Sequence, residues 1–157
     1  MRSAILQASL FSLLLSPAAL ADLGASQVIQ VVKRIQSTVA WDSTSIVRGD
    51  FNGDGRQGAA ILGIYQQRVF VAVVLYAPRK LKAEILALGI GTHSADSICE
   101  LPAKLVVEPL ECSPLVGPLP GCRPSSKAVG LVLFGGECDP INFYWNHQSN
   151  KLAWWRV

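Results

Sequence analysis

The chain has 157 residues, half of them hydrophobic, and a formal net charge of +3. The net charge is small and the basic residues are scattered along the chain, which argues against a protein that binds nucleic acid or an anionic membrane surface. The length suits one domain with a hydrophobic core of its own.

The first 21 residues have the pattern of a secretory signal peptide. Arg2 is the only charge before Asp22, and the apolar run "AILQASLFSLLLSPAALA" ends in Ala19-Leu20-Ala21, a small-x-small cleavage site. The run is too short for a good membrane span, although an uncleaved anchor is the alternative interpretation. We therefore expect residues 1–21 to be a signal peptide. Residues 22–157 are then a single exported β-rich domain, periplasmic and without membrane insertion.

Residues 26–39, "SQVIQVVKRIQSTV", carry the one strong helical pattern. Apolar side chains recur at steps of three and four residues, which places them on one stripe of a helix. Ser26 can cap the start of this helix. The residues of the stripe are Val28, Val31, Val32, Ile35 and Val39.

After Trp41 the sequence changes to short β-rich runs separated by polar, Gly or Pro residues. In chain order these runs are "TSIVRGD", "AAILGIYQ", "VFVAVVLYA", "KAEILALGI", "AKLVVEP", "KAVGLVLFGG", "INFYWN" and "KLAWWRV". The break near Gln66–Arg68 and the segment "HQSN" predict hairpin turns. The fold class expected is mostly β: a small antiparallel-sheet or propeller-like domain with one N-terminal helix, stabilised by disulfides.

The stretch "GDFNGDGRQGAAILG", from Gly49 to Gly63, has the look of a calcium loop. Its side chains Asp50, Asn52 and Asp54 supply oxygens at alternate positions, and the carbonyl of Arg56 could add another. An EF-hand would need Glu at the twelfth position, where this chain has Ile61, so the loop is not an EF-hand. The alternative is a turn in which the Asx side chains bond the local backbone.

The same stretch resembles the calcium-loop motif of FG-GAP/VCBS repeats, the blade units of integrin-type β-propellers. That motif reads Asp-x-Asn-x-Asp-Gly-x-x-Asp, and here the last acid is replaced by Gly58. The endings "NFYW" and "AWWRV" are similar to those of small exported bacterial proteins of this kind. The resemblance implies a VCBS-like domain with a degenerate calcium loop, and no cofactor other than calcium is expected.

Four cysteines lie in the second half of the chain, which in an exported protein predicts two disulfides. Three pairings exist, and we favour Cys112–Cys122 with Cys99–Cys138, because "SPLVGPLPG" between the first two is a Pro/Gly-rich loop whose base a short bridge would close. A zinc site is the alternative, but the spacings contain no C-x-x-C pair.

No catalytic motif is present, so we do not predict an enzyme. The two histidines, His93 and His147, have no recognisable partner, and Cys99 near His93 fits a disulfide better than a Cys–His pair. Trp154 and Trp155 are neighbours in a predicted strand and cannot both enter one core, so one of them could be exposed as an interface anchor. The alternative is a core cluster that closes the domain, with one ring on the second face of the sheet.

These features predict a non-catalytic protein that binds another protein. Small size, export and a VCBS-like frame are similar to those of periplasmic immunity proteins that protect bacteria from type VI secreted peptidoglycan amidases. Such a protein would block the active site of its toxin with a polar loop. The alternatives are a calcium- or carbohydrate-binding module and a secreted hydrolase with an unrecognised site. The candidate loops are "GTHSADS" and "RPSSK", with the partner-binding residues His93, Ser94, Asp96, Ser97, Arg123, Ser125 and Ser126.

Overall fold

The computed structural model describes residues 23–91 and 94–157, so the expected signal peptide at 1–21 lies outside the described residues. The described chain contains one helix and nine strands, which confirms the mostly β fold with one N-terminal helix. The elements are α1 (Ala25–Ile35), β1 (Ala40–Gly49), β2 (Gly58–Tyr65), β3 (Arg68–Ala77), β4 (Lys80–Ile90), β5 (Ser97–Ile98), β6 (Ala103–Pro109), β7 (Val129–Gly135), β8 (Ile141–Asn146) and β9 (Lys151–Trp155).

The helix is shorter than its apolar spacing predicted. It ends at Ile35, and Val39, the last residue of the expected stripe, is buried just before β1 instead. Gly24 takes the N-cap position that Ser26 was expected to hold, and its N–H donates to Oε1 of Gln27 at 3.1 Å. The side chain of Gln27 thus satisfies one of the backbone donors that a helix start leaves open.

Five strands form the first sheet in chain order, from β1 to β5. Its pairs are antiparallel except β4 with β5, and the expected hairpin at Gln66–Gln67 joins β2 to β3. β1 carries a bulge, because Asp42 lies opposite Leu62 whereas Val47 lies opposite Ala60. At the bulge the hydroxyl of Ser45 accepts the N–H of Leu62 at 2.8 Å, so the ladder donor stays satisfied.

The second sheet is an antiparallel meander from β6 to β9. Residues 147–150, "HQSN", form the turn between β8 and β9, as the sequence predicted. Trp154 packs against the core between the sheets, while Trp155 lies half-buried on the opposite face. The alternation of side chains along a strand therefore places one of the two rings on the outer surface of the sheet.

The three layers of the domain are the helix, the first sheet and the second sheet. β2 and β3 are buried on both faces, which explains their nearly continuous apolar sequences. One face of these strands meets Val28 and Val32 of the helix, through residues such as Ile61 and Val74. The other face packs against the second sheet in the larger core. That core includes Leu62, Val71, Leu88, Leu133, Ile141, Phe143 and Trp145.

Both expected disulfides are present, and their pairing is confirmed. Cys99–Cys138 joins the segment after β5 to the loop between β7 and β8, and therefore links the two sheets. Cys112–Cys122 closes part of the loop between β6 and β7. Two disulfides indicate an oxidising environment of the kind that exported proteins meet.

The two sheets share the same two ends. At the end that we call distal, the N–H of Val129 donates to the carbonyl of Asp50, which joins the start of β7 to the end of β1. At the other end, called proximal, the N–H of Cys99 donates to the carbonyl of Gly135. The loops after β1, β3, β6 and β8 therefore lie at the distal end, and the loops after β2, β4 and β7 lie at the proximal end.

Candidate functional site

The loop between β1 and β2 is held by the side chain of Asp50, which is only 9% exposed. Its Oδ1 accepts the N–H of Asp54 at 3.1 Å, and its Oδ2 accepts the N–H of Gly55 at 2.8 Å. Both carboxylate oxygens thus bond to backbone donors of the loop itself. This is the arrangement expected of an Asx-stabilised turn.

The second acid of the loop is paired with an arginine. Nη2 of Arg56 lies 2.8 Å from Oδ2 of Asp54, and the guanidinium lies over the ring of Tyr76 at 5.6 Å from its centroid. Burial acts to raise the pKa of Asp54, but hydrogen bonds from Arg56 and Asn52 outweigh it and hold that pKa below its usual value. Asp54 is therefore ionised, and the positive charge beside it comes from the protein.

Gly58, where the calcium motif has its last acid, is a buried residue at the start of β2. A Cβ atom there would lie 2.8 Å from the carbonyl oxygen of Val74 and 2.8 Å from Cδ2 of Leu75, so a carboxylate has no room. No group of three His, Cys, Asp or Glu side chains that could hold a metal occurs within residues 23–91 and 94–157. The oxygens of Asp50 and Asp54 already have donors, and the arrangement does not fit a calcium site. One oxygen, Oδ1 of Asn52, is buried without a partner.

The described residues of the loop "GTHSADS", Gly91 and residues 94–97, lie at the proximal end and are bonded to one another through their polar groups. The hydroxyl of Ser97 is 2.5 Å from the carbonyl of Gly91 and 2.7 Å from that of Ser94, and the Ser94 hydroxyl bonds Oδ1 of Asp96. Ser97, one of the candidate residues, is 4% exposed, and its hydroxyl lies against these two carbonyls of its own loop. His93 lies outside the described residues.

The loop between β6 and β7, residues 110–128, lies at the distal end and has no repeating structure. The N–H of Leu119 donates to the carbonyl of Cys112 at 2.9 Å, across the base that the disulfide closes. The loop is also tied to β8 and its turn, because the hydroxyl of Tyr144 donates to the carbonyl of Pro120 and the N–H of His147 to that of Gly121. These bonds hold the long loop in one position.

The tip of this loop is an apolar β-turn, whose residues were not among the candidates predicted from the sequence. The N–H of Gly117 donates to the carbonyl of Pro114 at 2.9 Å, so Leu115 and Val116 occupy the two central positions of the turn. Leu115 is 97% exposed and Val116 is 53% exposed. Gly117 has a φ of 106°, which an L side chain rarely adopts. Two apolar residues between Pro and Gly, inside a Cys-closed loop, were the available sequence signal.

The segment "RPSSK" forms the second half of the same loop. The hydroxyl oxygen of Ser125 accepts the N–H groups of Lys127 and Ala128, and so it stabilises the turn back to β7. Ser126 is exposed. Beside these serines an open groove of about 410 Å³ runs along Val107, Leu110 and Val129. The exposed hydroxyls therefore border an apolar floor.

Arg123 lies close enough to His147 to affect its protonation. Burial first, and then the positive charge of Arg123, hold the pKa of His147 below its usual value. His147 is therefore neutral near pH 7. All four cysteines are in disulfides, so none of them is a free thiol.

The two candidate loops thus lie at opposite ends of the domain. The strands between them, such as β6 and β7, have seven residues each. At about 3.4 Å per residue, they separate the loops by about 20 Å. The described candidate residues therefore fall into two groups, and the distal group, with Arg123, Ser125 and Ser126, belongs to the same loop as the exposed apolar tip.

Searches against protein-family models, curated proteins and solved structures gave no match to this chain. In the part of the chain that the structure describes, no helix is both long and apolar enough to span a bilayer.

Proposed function

We propose that this chain is a non-catalytic periplasmic protein that binds another protein through its distal loop, residues 110–128. More specifically, we propose that the chain is an immunity protein, which blocks the active-site cleft of a cell-wall-degrading amidase. The observation that carries the proposal is Leu115, an almost fully exposed leucine at the tip of a loop whose base is tied by a disulfide and by hydrogen bonds to β8 and its turn.

The position of Leu115 has no explanation in the folding of the chain itself. A leucine with 97% of its surface in solvent contributes no burial to the core. A partner pocket that covers this side chain would gain its burial energy, about 1.5–3 kcal/mol. Since the disulfide and the bonds to Tyr144 and His147 already hold the loop, binding would cost little ordering entropy.

The serine-rich arm of the loop suits the polar part of a catalytic cleft. Ser126 is exposed, and the hydroxyl hydrogen of Ser125 is not used by the two backbone donors that bond its oxygen. Hydroxyls can both donate and accept, so they can satisfy the groups of a Cys–His pair when water is excluded. The tip would supply affinity, and the serines would meet the catalytic groups.

The test is inhibition of peptidoglycan hydrolysis by secreted amidases of the same species, measured with the mature chain and with Leu115→Asp. We expect the wild type to inhibit one of these enzymes. The variant should do so at least about tenfold more weakly, since it places a charge in an apolar pocket. The matched control is Ile35→Asp, which places the same charge at an exposed apolar residue of the helix. Equal inhibition by Leu115→Asp, no inhibition by the wild type, or cleavage of peptidoglycan by the purified chain would each refute the proposal.

A second candidate function is glycan binding by the outer face of the second sheet. Trp155 borders a shallow depression there together with Glu108 and Asn142, and aromatic rings combined with carboxylate and amide groups suit sugar rings. To test this function, the protein is sedimented with insoluble peptidoglycan. We expect the wild type to sediment with it and Trp155→Ala to remain in the supernatant. Binding that survives Trp155→Ala would exclude this face.

A further inference from the structure

A cleft of about 320 Å³ opens between the two sheets, among the residues of β1, β2 and the segment before β6. Its floor is formed by Leu62 and Val69, which belong to the larger core. Its rim carries Ile64 and Leu101, which are 39% and 41% exposed. Cavities from about 300 Å³ upward, mostly apolar and with few polar groups, are the usual size and character of small-molecule sites.

One charged side chain lines this cleft, the carboxylate of Asp42. Its Oδ1 accepts two hydrogen bonds from Thr44, at 2.8 Å from the backbone N–H and 2.6 Å from the hydroxyl. These bonds fix the carboxylate and hold the pKa of Asp42 below its usual value, the hydroxyl having the larger effect. Among the described residues none donates to Oδ2, and no Lys, Arg or His lines the cleft.

We infer that the cleft binds a small amphiphilic cation, with its apolar body between Leu62 and Val69 and its ammonium group on Oδ2 of Asp42. An anionic amphiphile would meet the carboxylate and be repelled, and a neutral one would offer that oxygen at most an uncharged donor. Among ligands of similar apolar size, the fixed negative charge therefore selects the cation.

This site is separate from the one that the proposed function uses. The cleft reaches Ile64 and Leu101, near the proximal end, whereas loop 110–128 is at the distal end. A ligand in the cleft would therefore leave the tip at Leu115 free. Failure of one proposal does not decide the other.

The experiment is isothermal titration of the mature protein with octylammonium, octanol and octanoate at neutral pH. We expect octylammonium to bind about fivefold more tightly than octanoate, because Asp42 is exposed and its solvent-screened charge adds a modest attraction for the cation and a modest repulsion of the anion. Asp42→Asn keeps the acceptor for Thr44 but removes the charge. It should weaken octylammonium about threefold and leave octanol unchanged.

Two further variants make the test specific. Ala103→Phe fills the cleft and should abolish binding of both octylammonium and octanol, while its melting temperature shows that the protein is folded. Asp139→Asn removes a carboxylate outside the cleft and should change nothing. The inference is overturned if octylammonium gives no heat of binding, if octanoate binds as tightly, or if Asp42→Asn binds octylammonium as the wild type does.

Discussion

At the scale of single residues, the Asp50–Arg56 loop has a sequence like that of a calcium loop, but its carboxylates are bonded to backbone N–H groups and to Arg56. The sequence correctly placed alternating oxygen-bearing side chains in a tight turn. It could not show that Arg56 folds back onto Asp54 over Tyr76, because Tyr76 is 20 residues further along the chain. The reason for Gly58 was equally hidden, since its neighbours Val74 and Leu75 belong to another strand.

Replacing Arg56 tests whether its guanidinium acts as the cation of the loop. Arg56→Ala should lower the free energy of unfolding by about 0.2–1 kcal/mol, the usual worth of a partly exposed ion pair. The variant should also gain more in melting temperature from added calcium than the wild type does, because Asp54 then lacks a positive partner. Lys104→Ala serves as the control for loss of an exposed cation. A wild-type melting temperature that rises with calcium as much as the variant's would contradict this assignment.

His147 gives the stability of the protein a defined dependence on pH. Its pKa is lower in the folded protein than in the unfolded chain, so the unfolded chain takes up the proton first. Above the unfolded pKa of about 6.5 the side chain is neutral in both states, and stability is lost as the pH falls below that value toward the folded pKa.

We therefore expect urea denaturation to show a loss of stability between pH 7.5 and 5.5 that is smaller in His147→Asn. The difference between the two proteins isolates this side chain from the other titrating groups. Identical pH profiles for both proteins would show that His147 is not responsible.

At the scale of elements, apolar periodicity predicted the helix but extended it too far. Val39 continues the spacing of Val28 and Val32, yet it packs beside β1, because the chain turns after Ile35. Periodicity reports which residues are apolar, and it does not report where tertiary contacts end the helix. The same limit applies to the loop tip. "PLVG" shows apolar residues between turn formers, but only the turn from Pro114 to Gly117 shows that they face solvent.

Two substitutions on the helix measure what its buried face contributes. Val32 is fully buried against the first sheet, so Val32→Ala should cost about 2 kcal/mol through lost burial and the cavity left behind. Ile35 is 53% exposed, and Ile35→Ala should cost about 0.5 kcal/mol or less. Chemical denaturation of both variants gives the comparison. Equal losses would mean that the helix is not docked by the face described.

At the scale of the whole molecule, the sequence predicted the mostly β class, eight of the strands along the chain (without β5) and the disulfide pairing. It did not predict that the strands divide into two sheets facing one another, because strand pairing between distant residues leaves little trace in one sequence. For the same reason the two candidate loops could not be assigned to opposite ends. Their separation follows only from the antiparallel directions of β4, β6 and β7.

The two disulfides should contribute unequally to stability. Cys99–Cys138 spans 39 residues and Cys112–Cys122 spans 10. In the chain-entropy account, their loss costs about 4 and about 3 kcal/mol respectively. Paired Cys→Ala variants, unfolded in urea, should reproduce this order, and the Cys112/Cys122 variant should also lose inhibition of its target. A larger loss of stability from the shorter loop would show that native contacts, rather than chain entropy, dominate.

Cutting the backbone beside Leu115 would not release the distal loop. Cys112 and Cys122 lie on either side of the cut, so the new chain ends would stay joined through sulfur. The segment on the C-terminal side of the cut would also stay bonded to β8, because the Tyr144 hydroxyl donates to the carbonyl of Pro120. A molecule nicked by a protease would therefore separate into two fragments only under reducing conditions, and until then it would keep both halves of the tip in place.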